Sequence, residues 1–106
     1  MNAESAVFEQ TGGYRVGRNA WLAFNASTPF GALRIRAGSI VLQCIASSYT
    51  FPAEAISRLS LYDGLFSSGL RIEHTIADYP QFIVFWSSNL EKLQEHLHAT
   101  GFHLSN

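Results

Sequence analysis

The chain has 106 residues, 47% hydrophobic and only 14% charged, a balance that excludes a disordered segment and suits one packed domain. Its net charge of −1 hides an asymmetry. Residues 15–71 hold six arginines against Glu54 and Asp63, a balance of +4, whereas residues 72–106 hold Lys92 against Glu73, Asp78, Glu91 and Glu95, a balance of −3. The basic half is too sparse for the Lys/Arg stripe of a nucleic-acid surface, and no apolar run approaches the roughly 20 residues that cross a bilayer. The single cysteine, Cys44, excludes an internal disulfide framework and fits a reducing, cytoplasmic setting. Residues 1–10 hold two glutamates and no basic residue, which predicts no secretory leader.

Residues 1–13 show no periodicity and include Gly12-Gly13, so the sequence predicts a flexible arm there and a single domain over residues 14–106. Gly12 and Gly17 have P-loop spacing, but Arg18-Asn19 follows where Lys-Ser/Thr is needed, and the nucleotide motif fails. Ala20, Leu22 and Phe24 alternate with Trp21 and Ala23, a strand pattern that ends at residues 25–29. Leu33 and Ile35 alternate with Arg34 and Arg36, the period of a half-buried strand. A turn at residues 37–39 leads into a β-branched run over 40–45, and a short strand over 49–51 stops at Pro52. Residues 52–55 can form one helical turn. Leu59 and Leu61 mark a fifth strand, after which Asp63-Gly64 opens a loop with Leu65 and Phe66 at its tip.

The sixth strand places Leu70, Ile72, His74 and Ile76 on one face and Arg71, Glu73 and Thr75 on the other. Residues 81–86 are apolar on both faces and predict a strand covered on both sides. A helix closes the chain. Ser88 and Glu91 have capping-box spacing, Leu90, Leu93 and Leu97 form one apolar stripe, and Gly101-Phe102 suits a Schellman ending. The fold class expected is mainly β (α+β): a bent antiparallel sheet of about seven strands closed by one C-terminal α-helix.

That order, with Pro52-x-Glu54-x-Ile56-x-x-Leu59, Gly69-Leu-Arg-Ile72, residues 82–85 and the Leu90/Leu93/Leu97 helix ending Gly101-Phe102, resembles small bacterial pleckstrin-homology (PH)-like domains over residues 14–103. The resemblance implies a binding or assembly module, since PH-like folds host lipid binding, peptide binding and oligomerisation. The family's lipid-binding members use a lysine at the end of the first strand and then Lys/Arg-x-Arg on the second. Arg34-x-Arg36 resembles the second part, but residues 23–25 supply no cation for the first.

No catalytic or metal-binding constellation emerges, and no cofactor is expected. His96 and His98 diverge by roughly 200° on a helix, so they cannot share an ion. Cys44 shares a face with Ile40 and Leu42 and reads as a buried, inert thiol. Most aromatic side chains are expected in the core, with Leu65 and Phe66 either folded beneath the sheet or forming a contact patch. The binding candidates are Arg34, Arg36, Arg58, Arg71, Leu65 and Phe66. The expected activity is non-catalytic protein association or self-association through a strand edge or the Leu65/Phe66 loop. Two alternatives stand beside it: an anionic lipid surface met by Arg34 and Arg36, and a small-ligand or enzymatic pocket at His74.

Overall fold

A computed structural model describes residues 8–65 and 67–105. Within them the chain forms seven antiparallel strands and one α-helix, a mainly β curled half-barrel. The strands are β1 (Phe8–Gly17), β2 (Ala23–Arg36), β3 (Ser39–Gln43), β4 (Ser48–Pro52), β5 (Ile56–Asp63), β6 (Ser68–His74) and β7 (Phe82–Ser87), followed by α1 (Leu90–Ala99). Their order across the sheet is β4-β3-β2-β1-β7-β6-β5. The first strand therefore lies in the middle, hydrogen-bonded to β2 on one side and to β7 on the other.

Residues 8–13, expected in a flexible arm, belong to β1, six residues before the predicted start of structure at Tyr14. The glycine pair suppressed the period-2 signal because it has no side chains to alternate. Residues 1–7 lie outside the described part. Conversely, the strand read around residues 20–24 begins only at Ala23, residues 20–22 being hairpin turn, and it is continuous with the strand read at 33–36 in the single strand β2. It turns where residues 27–30 bulge out opposite Gly13, between the pairs Gly12↔Gly31 and Tyr14↔Ala26. One strand missed and one divided leave the expected number, seven, unchanged.

The inner face carries the core: Tyr14, Leu33, Ile35, Ile40, Leu42, Phe51, Leu59, Leu70, Ile72, Ile83 and Phe85, all buried. The alternation of Leu33/Ile35 with Arg34/Arg36 places the two aliphatics inward and the arginines outward, as their period requires. Strand β7 is covered on both sides. Its outer residues Phe82 and Val84 are buried too, Phe82 beneath the Arg71 guanidinium, 5.1 Å from the ring centroid, and beside Tyr62. The turn expected after Pro52 is a 3-10 turn, Ala53–Ala55, which carries the chain from edge strand β4 to edge strand β5.

Helix α1 lays Leu93 and Leu97 into the core, each burial worth about 1.5–3 kcal/mol. The helix ends as the Gly101 signal predicts: Gly101 has φ +92°, its N–H donates to His98 O, and the Phe102 N–H donates to Leu97 O. Its start differs from the Ser88/Glu91 box. Asn89 is the N-cap, its Oδ1 accepting from the Lys92 N–H at 3.1 Å, while the Ser88 hydroxyl donates to Thr11 O on β1. Register decides this, because Ser88 sits beside β1 and finds a carbonyl there first. Replacing Asn89 with alanine should therefore lower unfolding free energy by about 1 kcal/mol in urea titrations.

Candidate functional site

The long hairpin of β1 and β2 reaches past its neighbours. Strand β3 pairs with β2 only from Ala32 to Arg36, so residues 23–26 of β2 have β1 on one side and no strand on the other among the described residues. Inward-facing positions there are Phe24 and Ala26, opposite Val16 and Tyr14; Asn25 points outward with Arg15. Ala26 is buried, but Phe24 is 61% exposed, its ring 6.2 Å from that of Tyr14. The Tyr14 hydroxyl accepts from the Ile45 N–H in the β3–β4 turn, and Ile45 too is largely exposed. Phe24 and Ile45 thus flank Tyr14 where β3 and β4 stop and the β1–β2 hairpin continues.

The hairpin tip is ordered by its own polar groups. Asn19 Oδ1 accepts from the N–H groups of Trp21 and Leu22, both at 2.9 Å, in an Asx-type turn. The Arg18 N–H donates to Leu22 O, and Arg15 Nη2 donates to Ala20 O. This fixed backbone presents Trp21, 90% exposed, and Leu22, 62% exposed. Leu22 also borders an open groove of about 770 Å³, lined with Tyr49, Tyr79 and Pro80 and rimmed by Arg18 and Asp78. Together these residues form an apolar, aromatic surface beside an open strand edge.

Each of the other two edges has one backbone group engaged by a neighbouring segment. On β4, the Thr50 N–H donates to the Tyr79 hydroxyl. On β5, Leu59 O accepts from the Ser105 N–H, so the chain's last residues run along that edge. Edge strands left bare are sites where another chain can add, and residues 23–26 are left so.

The four candidate arginines fall into two groups, Arg34 with Arg36 on β2 and Arg58 with Arg71 on β5 and β6. Arg34 is ion-paired with Glu9 on β1 at 3.4 Å, and Arg36 lies two residues on, exposed. Arg71 and Arg58 sit on β6 and β5, with β1 and β7 between them and β2. The outer-face companion of Arg71 is Arg15: one row across the sheet reads Asn25, Arg15, Val84, Arg71, Ser60. Arg58 stands opposite Glu73.

Leu65, for which burial beneath the sheet and a contact patch were the two expectations, is 90% exposed in the β5–β6 turn closed by Gly64 N–H to Ser67 O; Phe66 lies outside the described residues. Alternation alone places Trp21, Leu22 and Phe24 in one strand; only Phe24 lies in β2, and Trp21 and Leu22 stand in the turn before it. The turn-forming Arg18-Asn19 just before them was the available sign that they cap a hairpin.

His74 is buried with both ring nitrogens engaged. Nδ1 accepts from the Ile76 N–H at 3.0 Å, which leaves the proton on Nε2, 2.8 Å from Pro80 O. Phe51 and Tyr79 pack around the ring. The group is structural in its contacts. His96 stacks on Phe8 at 3.9 Å while His98 is exposed, so the two diverge as helical spacing requires. No helix of the described residues is long and apolar enough to cross a membrane.

Neither a family model, a curated protein nor a solved structure matches this chain. Cys44 is buried, and burial pushes its thiol up from 9.0 to about 11. At pH 8 the native protein should react with a thiol-specific disulfide reagent orders of magnitude more slowly than the urea-unfolded chain, followed by absorbance.

Proposed function

We propose that this chain is a non-catalytic, PH-like binding or assembly module of the bacterial cytoplasm, and that it takes a protein partner along the free edge of β2. Support for the PH-like reading is the order of seven antiparallel strands and a closing C-terminal helix on which the resemblance rests. The observation that carries the binding reading is the coincidence at one place of an unpaired strand edge, residues 23–26, with the exposed side chains of Trp21, Leu22, Phe24 and Ile45. A partner strand laid there gains backbone hydrogen bonds worth about 0.5–1.5 kcal/mol each, too few over four residues to hold a complex alone. Apolar contact with Leu22 and Phe24, and entry of a side chain into the Leu22/Tyr49/Tyr79 groove, supply the rest. The lone buried thiol is consistent with a reducing compartment.

A pulldown from native cell extract tests this with wild type and a Leu22→Asp/Phe24→Lys variant. Both substitutions are on exposed side chains, so folding should be kept. A protein retained by the wild type should fall by about tenfold or more with the variant. Equal recovery on both would overturn the edge reading.

The alternative of an anionic lipid surface needs cations that converge, and Arg34 already faces Glu9 while Arg58 and Arg71 lie across the sheet. Cosedimentation with anionic and with neutral vesicles should therefore give the same low binding, unchanged by an Arg34→Ala/Arg36→Ala variant. Salt-sensitive binding to anionic vesicles that the variant abolishes would reverse this ranking.

A further inference from the structure

We infer that the partner seated on the β2 edge is a second copy of this chain, paired antiparallel across a two-fold axis at Phe24. The inference rests on the binding reading above and names its occupant. Three observations lead to it.

The first is the absence of the usual protection. Solvent-exposed strand edges normally carry charged residues, covering segments or prolines that keep a second copy away. Here residues 19–33 contain no charged residue at all, and Pro29 lies in the bulge beyond the open edge rather than on it. Strand β5, by contrast, carries Arg58 and Asp63 and is partly covered by the chain's last residues. Two β2 edges brought together meet no like charge.

The second is register. In a two-fold antiparallel pair, opposed residues share a face, so their numbers must have the same parity. Phe24 and Ala26 face inward and Asn25 outward. An axis at Phe24 sets Phe24 against Phe24 of the second copy, Leu22 against Ala26, and Ala23 against Asn25. Pairing then stops where the bulge of residues 27–30 begins. An axis at Asn25 would push Ser27, inside the bulge, into the ladder. The Phe24 register keeps Ala23, Phe24, Asn25 and Ala26 in the ladder, with Leu22 of the hairpin turn at its outer end, and makes an aromatic cross-strand pair. It also runs the tip of each copy, with Trp21, toward the Ile45 turn of the other.

The third is area. Trp21, Leu22, Phe24 and Ile45 are 90%, 62%, 61% and 63% exposed. With aromatic side chains contributing about 150–250 Å² each, they leave on the order of 500 Å² of apolar surface per copy, against the roughly 800 Å² per partner of a standard interface. The paired backbone adds to this, which places the assembly among small, reversible dimers.

Sedimentation from micromolar to millimolar concentration should show the wild type passing from monomer to dimer. Phe24→Lys and Phe24→Glu, each directly opposed to its own copy, should each remain monomeric throughout. Their equimolar mixture should dimerise at concentrations at least tenfold lower than either alone. Phe24→Cys should form a covalent dimer under mild oxidation several-fold faster than Leu65→Cys, an equally accessible control; buried Cys44 does not interfere. A wild type that is monomeric at millimolar concentration, a mixture that does not reassociate, or faster coupling through Leu65→Cys would each overturn the proposal. A monomer that still captures another protein through Leu22 and Phe24 rejects self-pairing alone. A monomer that captures none rejects the edge reading as well.

Discussion

Everything in this fold depends on β1 being hydrogen-bonded on both sides. Strands β2, β3 and β4 form one meander and β5, β6 and β7 another, and β1 is the strand that joins them into one sheet. It does so at close quarters. A Cβ at Gly12 would collide with Trp86 O on β7, and one at Gly13 with Ala26 O on β2, so the glycine pair is what lets three backbones approach there. The same strand anchors the helix. Buried Gln10 donates to Asn89 O and accepts from the Ser87 hydroxyl, which in turn accepts from the Asn89 N–H. One polar side chain on β1 thereby fixes where α1 begins, and Leu93 and Leu97 then fall into the core. A buried polar group is costly unless all its bonds are made, and here both ends of the amide find partners.

Placing the first strand in the middle has a consequence for the edges. The sheet ends at β4 and β5, and each end has one backbone group engaged, on β4 by the Tyr79 hydroxyl and on β5 by the Ser105 N–H. The open edge lies instead inside the strand order, because β2 is longer than the β3 it pairs with. Fourteen residues of β2 face five of β3, and the bulge at residues 27–30 separates the surplus from the paired part. The exposed segment is a product of unequal strand lengths, and that inequality is the physical basis of the proposed binding surface.

Much of the architecture was legible because it rests on periodicity. Leu33/Ile35 against Arg34/Arg36, the doubly apolar run ending at Trp86, and the helical stripe with its Gly101 ending each state their own element. Strand β1 was not legible, since Gly12-Gly13 and Gln10 gain meaning only from β2, β7 and α1, which lie far away in sequence. The N-cap was misplaced for a related reason: Ser88 and Asn89 are both good caps, and the choice between them is made by Thr11. The arginines illustrate the same limit. Arg34 and Arg36 share a face by spacing alone, but their distance from Arg58 and Arg71 is a matter of strand order, which four local patterns do not encode.

Exposure by itself does not single out a surface. Leu65 is as exposed as Trp21, yet an exposed apolar side chain on a turn is ordinary in folded proteins. Trp21 and Leu22 differ because Asn19, Arg18 and Arg15 tie down their backbone, so the ordering entropy of that tip is already lost in the free chain. A partner meeting this tip has little loop motion left to freeze, and the unpaired residues 23–26 beside it hold their hydrogen-bonding groups in strand geometry. Preorganised apolar contact and preorganised backbone are adjacent here, and that adjacency is what favours the β2 edge as the proposed binding surface.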